Sequence, residues 1–324
     1  MGNKNVHKTS VGGQALIEGV MMQGPKGVAT AVRQSDGEIV VKQHEVKHIR
    51  DKYKFLGFPI IRGIVNFIES MILGYKMLMY SAEASGMEDI EDAEMNKFEK
   101  WLTDKLGDKF MDIIMFIATI LGFALAFVIF FYLPVFIFNR LNVWADNALT
   151  PWQGTIEGVL KIVIFVVYIA LVSQMKDIKR TFMYHGAEHK SIACYEAGLD
   201  LTVENVKKCT RFHPRCGTSF IFVMLIFSIV FISLLSLIVP AELKQNTILW
   251  MLIKLPMLPI IMGIGYEFIK YAGRHDNALV KVLSAPGLWM QRLTTKEPDD
   301  EIIEVGIESL KAVITDNPKD DEII

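Results

Sequence analysis

The stretch YHGAEHKSIACYEAG, residues 184–198, places His185 and His189 four positions apart, with Glu188 directly before the second histidine. Side chains at i and i+4 leave one face of a helix, so both imidazoles can reach a common point. Glu188 lies near that face, and Glu196 falls seven positions past His189 on the same stripe. His-x-x-Glu-His is the zincin motif reversed. In that chemistry two imidazoles hold zinc, and the carboxylate takes a proton from water that the ion has made acidic. A five-residue motif with two free positions is weak by itself.

A second stretch, KCTRFHPRCGTS at 208–219, adds Cys209, His213 and Cys216. Residues 176–197 contain no proline and read as a helix that Gly198 ends. Pro214 and Gly217 make a turn into the next apolar segment. The two stretches flank one loop between antiparallel neighbours, which brings their ends together. Four ligands drawn from His185, His189, His213 and Cys216 suit zinc. Three with an open position make a catalytic site, and four a structural one. A metal-free polar cluster is the competing reading. Further polar candidates are Gln14 and Glu18 in the N-terminal glycine-rich stretch, and Glu267 and His275 in YEFIKYAGRHDN. Glu267 could serve as a distal carboxylate ligand, or pair with Lys270 or Arg274.

What must position these residues is a membrane protein. The chain has 324 residues, 52% of them hydrophobic, and a net charge of −2. Four apolar runs, at 111–138, 156–175, 217–240 and 247–270, each have the ~20 residues that a helix needs to cross the hydrocarbon layer. The first and third are apolar all round, unlike the stripe of a soluble helix. The fourth is interrupted by Lys254, Pro256 and Pro259. The loop between the second and third runs holds Lys176, Lys179, Arg180, Lys190, Lys207, Lys208, Arg211 and Arg215, whereas each of the other two loops holds one basic residue, Arg140 or Lys244. Basic loops stay in the cytoplasm. This predicts a multi-pass protein of the bacterial cytoplasmic membrane with both termini and the His/Cys loop inside. Trp144, Trp152 and Trp250 fit the outer aromatic belt. The cysteines, Cys194, Cys209 and Cys216, then meet reducing conditions that disfavour disulfides.

The fold class expected is mainly α: about four transmembrane helices, a small N-terminal β-hairpin and cytoplasmic amphipathic helices. Six segments follow. Residues 1–54 are a cytoplasmic glycine-rich segment and hairpin, with strands near 28–34 and 38–46 flanking Ser-Asp-Gly. The glycine-rich part matches no phosphate loop or dinucleotide fingerprint, and reads as turns or as a loop closing over a site. His44 and His48 read as surface residues. The polar N-terminus shows no signal-peptide core. Residues 55–110 comprise an apolar helix with Arg62, Asn66, Glu69 and Lys76 on one stripe, read as interfacial or bundle-packed, with a fifth span as the alternative. An acidic helix follows it. Residues 111–175 and 217–270 are the two transmembrane pairs, around the 176–216 loop. Residues 271–324 are a basic membrane-surface segment with Trp289, a short amphipathic helix near 301–314, and a disordered end.

The stretches GGQALIEGVMMQGP, YHGAEHKSIACYE, RFHPRCGTSF, KYAGRHDN and LSAPGLWMQRLTTKEP together resemble the YqhQ-like family of bacterial multi-pass membrane proteins, over roughly residues 12–310. The resemblance implies a bacterial membrane protein, sometimes described as a metal-dependent enzyme, and transfers no catalytic residue. Three functions compete. The first is a metal-dependent hydrolase with zinc on His185, His189 and His213 or Cys216 and with Glu188 as general base, acting on a lipid head group, a membrane-embedded peptide or a lipid-linked intermediate. The second is a non-enzymatic scaffold or accessory factor of the protein-insertion machinery, with a structural metal. The third is a transporter using the broken fourth helix. The partners expected are the lipid bilayer and other membrane proteins or a second copy of the chain, without nucleic acid.

Overall fold

The computed structural model describes residues 8–46, 49, 53–86, 108–275, 277–315 and 317–322. Of the acidic helix expected over 81–108, residues 87–107 lie outside them, as does His48, and residues 81–84 continue the preceding helix. The chain divides into two compact units. One comprises Met1–Gly86, Tyr168–Met224 and Pro259–Ile324, the other Met87–Val167 and Leu225–Leu258.

The first unit is built on a four-stranded antiparallel meander: β1 (Gly12–Leu16), β2 (Gly19–Gly24), β3 (Gly27–Arg33) and β4 (Ile39–His44). The expected hairpin is β3–β4, paired from Val28↔His44 to Arg33↔Ile39. The glycine-rich stretch before it does hold turns, at 17–18 and 25–26, and closely packed backbone, but it is mostly strand and not a closing loop. It forms the other two strands, with Gly13 opposite Met22 and Gly24 opposite Gly27. Glycine weakens a strand, and in this sheet it marks places where another element comes close. Helix α1 (Ile61–Ala84) follows, its last turns against the sheet: Ser81 Oγ accepts the Ile17 N–H at 3.2 Å.

Among the described residues four helical stretches are long and apolar enough to cross a membrane: Ile117–Trp144, Thr150–Val172, Phe220–Ile238 and Thr247–Arg274. They comprise α2 (Asp108–Phe127) running through a π turn into α3 (Leu133–Trp144), then α4 (Gln153–Val172), α7 (Gly217–Ile238), and α9 (Thr247–Lys254) with α10 (Met257–Arg274). The π turn, Val128–Tyr132, precedes Pro134, whose ring would clash with a regular helix. Pro256 sits at the break between α9 and α10. In the second unit Glu157 is buried, paired with Lys254 at 2.7 Å, and accepts from Trp250 Nε1 at 3.0 Å and Gln153 Nε2 at 2.8 Å.

Between the second and third of these stretches lie α5 (Lys176–Glu196) and α6 (Val203–Lys208); the five-residue α8 (Ala241–Gln245) precedes the fourth, and α11 (Ala278–Thr294) and α12 (Asp300–Val313) follow it. Gly198 ends α5 with φ +65°. The amphipathic helix expected at 301–314 is α12, with Asp299 capping Ile302 N–H at 2.9 Å. Its apolar face is core: Ile302, Val305, Leu310 and Val313 pack with Val20, Met22, Ala29 and Ala31 of the sheet and Tyr184, Ala187 and Ile192 of α5. Residues 271–297 are more than a surface segment. α11 leaves Trp289 exposed but buries Met290, Gln291 and Thr294. The disordered end is also corrected. Residues 318–321 form a 3-10 turn, Glu322 bridges to Thr9, and the Asp321 carbonyl accepts Ser10 N–H at 2.6 Å.

Candidate metal centre

α5 carries His185 and His189 one turn apart, and the turn before α7 supplies Cys216. One donor atom from each lies within 4.8 Å of the others. This His/His/Cys cluster could coordinate a metal ion. The imidazole rings are 4.4 Å apart at their centroids. His185 Nδ1 is 2.8 Å from the Thr294 carbonyl, and His189 Nδ1 is 2.6 Å from the Arg211 carbonyl. A carbonyl only accepts, so each Nδ1 bears the proton and each Nε2 presents its lone pair. His185 Nε2 faces Cys216 Sγ at 3.2 Å. His189 Nε2 is buried and has no hydrogen-bond partner. Thr218 N–H donates to the same sulfur at 3.4 Å, and the Thr218 hydroxyl and the Cys216 thiol share a hydrogen bond at 3.1 Å.

Glu188 is the other orphan. Its Oε2 is buried without a partner. Burial raises its pKa, against smaller lowering contributions from His185 and from the N–H of Gly13. The carboxylate reaches Gly13 because β1 runs beside α5, and a Cβ at Gly13 would stand 3.1 Å from Glu188 Cδ and 2.9 Å from Met22 Sδ. His185, Glu188, His189 and Cys216 line one cavity of about 440 Å³, together with Gly13, Gln14, His213 and, towards the apolar segments, Phe182 and Ile221.

His213 lines this cavity but falls outside the donor group. Its ring lies 5.6 Å from that of His189 and its Nε2 is 3.7 Å from Glu196 Oε2. Burial lowers its pKa, more than Glu196 restores it. The turn that aims it is clasped by Gln291, which accepts from His213 N–H at 2.8 Å and donates to its carbonyl at 2.7 Å. Glu196 is bound to Arg215 and accepts the Thr9 N–H at 2.9 Å. Burial pulls its pKa up, but His213 and Arg215 outweigh that and hold it below the usual carboxylate range. Glu267 pairs with neither Lys270 nor Arg274 but with Arg62, Nε to Oε1 at 2.6 Å. His275 stacks on Tyr271. Glu18, at φ +48°, binds Arg180 and the Tyr184 hydroxyl. Gln14 packs against Gly74 of α1.

The residues that orient the cluster were missed from sequence. Thr294 and Arg211 act through main-chain carbonyls, which leave no trace in residue type. Gln291 stands unremarked in an amphipathic stretch. Only Gly13 carried a signal, as a glycine of the N-terminal glycine-rich stretch.

The family described as a protein of unknown function, DUF1385, matches residues 58–316. Over 306 residues the chain is 36% identical to "Uncharacterized protein YqhQ" of Bacillus subtilis (strain 168), covering 94% of this chain and 92% of that protein. No solved structure matches. With a matching segment that takes in every residue of the cluster, and with four apolar helices of spanning length, the chain belongs to the YqhQ-like DUF1385 family of bacterial proteins.

Proposed function

We propose that this protein is a zinc-dependent membrane hydrolase whose centre lies at the cytoplasmic boundary of the bilayer. The ion is held by His185 Nε2, His189 Nε2 and Cys216 Sγ. The observation that carries the reading is the pair of buried orphan atoms, His189 Nε2 and Glu188 Oε2, beside a histidine nitrogen and a cysteine sulfur 3.2 Å apart. Buried polar atoms without partners are rare, and each calls for an explanation such as an ion. In a tetrahedral zinc site, bonds of ~2.0–2.1 Å to nitrogen and ~2.3 Å to sulfur put neighbouring donors about 3.4–3.6 Å apart. His185 Nε2 and Cys216 Sγ, at 3.2 Å, are near that spacing, and all three donors lie within 4.8 Å of one another. Two imidazoles and one thiol suit zinc better than magnesium or calcium, which take oxygen ligands.

Zinc at this place would act as a Lewis acid and make water acidic near neutral pH. The rest falls to the chain. Glu188, anchored by Gly13 N–H, takes the proton from water on its free Oε2 and returns it to the leaving group. Its raised pKa suits both halves of that task. The Thr294 and Arg211 carbonyls hold the imidazoles in one tautomer. Phe182 and Ile221 give the cavity an apolar edge at the first turn of the span Phe220–Ile238, which fits an amphiphile: a lipid or lipid-linked molecule with its scissile bond near the head-group level. Placement on the cytoplasmic side rests on the eight basic residues of the 176–216 loop.

A closed structural site in a scaffold needs a fourth protein donor. Among the described residues the donor group has three members, and His213, which lines the same cavity, is turned to Glu196; three donors with an open position favour the enzyme reading. The test is elemental analysis of protein purified without chelators. One zinc per chain is expected, with most of it lost in His185→Ala and in His189→Ala. Metal-free wild-type protein would sink the proposal.

A further inference from the structure

We infer that residues 53–75 form a re-entrant element, a hairpin that dips into the bilayer from the sheet side and returns as α1 without crossing. The depth follows from what its tip touches. Gly63 packs on Gly263 of α10, where a Cβ would lie 3.0 Å from the Gly263 Cα. A Cβ at Gly263 would in turn lie 2.7 Å from the Ile60 carbonyl oxygen. Gly265, two residues on, abuts Met224 and Phe220, and Phe67 lies with its ring centroid 6.4 Å from that of Phe220. Met224 is four residues past Phe220, where that span begins, so the tip lies roughly 6 Å inside its start at 1.5 Å per residue. The far end of α1 stays with the sheet, through Ser81 and Ile17. The approach to the tip is on the same side, since Ile49 N–H donates to Glu69 at 2.6 Å.

The tip is made for lipid. Irregular backbone survives at membrane depth only when its polar groups are satisfied. Phe58 N–H bonds the Phe55 carbonyl, Pro59 has no N–H, Ile60 N–H bonds Glu267, Ile61 N–H bonds Pro59, Arg62 N–H bonds Phe58, and Gly63 N–H bonds Ile60. The charge of Arg62 is met by Glu267, and Asn66 donates to the Tyr266 hydroxyl at 2.6 Å. Arg62 and Asn66, the first two residues of the polar stripe, therefore face α10, while Glu69 turns to Ile49. Phe55, Phe58, Ile68, Met71 and Tyr75 point outward, Phe58 with 63% of its surface exposed. In water such a face is a liability. Among acyl chains, beside helices that span, it is in its own solvent.

Wild-type full-length protein is reconstituted in vesicles containing a phosphatidylcholine with a photoactivatable diazirine on its acyl chain. After irradiation, adducts should map to the tryptic peptides 55–62 and 63–76 and not to the peptide holding Asp36. Absence of adducts from both would overturn the inference. The second arm uses Asp36→Cys, Glu83→Cys and Phe58→Cys in sealed membranes with an impermeant maleimide, read peptide by peptide. Asp36→Cys and Glu83→Cys should label from the same side, and Phe58→Cys at least tenfold more slowly from either. Labelling of Asp36→Cys and Glu83→Cys from opposite sides would make the segment a full span. Equal labelling of all three would make it a water-exposed helix.

Discussion

Glu188→Gln separates a base from a ligand. The substitution keeps shape and leaves an amide oxygen to accept Gly13 N–H. Oε2 has no partner to lose. It puts an amide NH₂ where a carboxylate oxygen stood, at about 1–3 kcal/mol if that group stays unpaired. Against this, it removes a carboxylate whose ionisation burial already disfavours. The two effects oppose each other, so Tm should move by no more than about 4 °C. Metal content should not change, because the three donors are elsewhere. Loss of a general base costs about 10²–10⁴-fold in rate, or roughly 2.7–5.5 kcal/mol of barrier at 1.36 kcal/mol per decade. The assay is complementation in cells lacking the native copy, with abundance followed by immunoblot. Glu188→Gln should be present, loaded and non-functional, whereas His189→Ala should lose metal as well. Full complementation by Glu188→Gln at wild-type abundance would refute the base and put the scaffold reading first.

Other outcomes follow from the same geometry. Gly13→Ala forces a Cβ first against the Met21 carbonyl of the paired strand, at 2.4 Å, and then against Met22 and Glu188, so it should lower Tm as well as function, as read by thermal unfolding beside complementation. Lys254→Met leaves Glu157 buried without its counter-charge, at about 3–5 kcal/mol, and should lower Tm in detergent by several degrees. Glu157→Gln with Lys254→Met should recover part of that. The pKa of Glu196 is lowered in the folded state, so its stabilisation is full above the unfolded value of ~4.3 and is lost as pH falls through its folded pKa. Wild-type protein should lose Tm more steeply below about pH 4.3 than Glu196→Gln does.

The helical part was legible in sequence because its signals are physical and local. Four apolar runs gave the spans, and i, i+4 spacing put His185 and His189 on one face. Cys216 joined them because a short loop between antiparallel helices brings their ends together. His213 did not, since its aim depends on Gln291 and Glu196, which lie 78 and 17 residues away in sequence. The first half of the sheet was illegible for another reason. Gly12, Gly13, Gly19 and Gly24 have poor strand propensity, and they are strand residues here because α5 and α12 press against the sheet at Gly13 and Gly24. The partner of Arg62 was illegible as well, because Glu267 lies some two hundred residues later in sequence.

The central claim is most directly tested by zinc-edge X-ray absorption on protein purified without chelators. It should give one sulfur at ~2.3 Å and three light-atom ligands at ~2.0–2.1 Å, two of them with imidazole scattering. The sulfur shell should vanish in Cys216→Ser. An all-sulfur shell, or a spectrum without any sulfur in the wild type, would contradict the account.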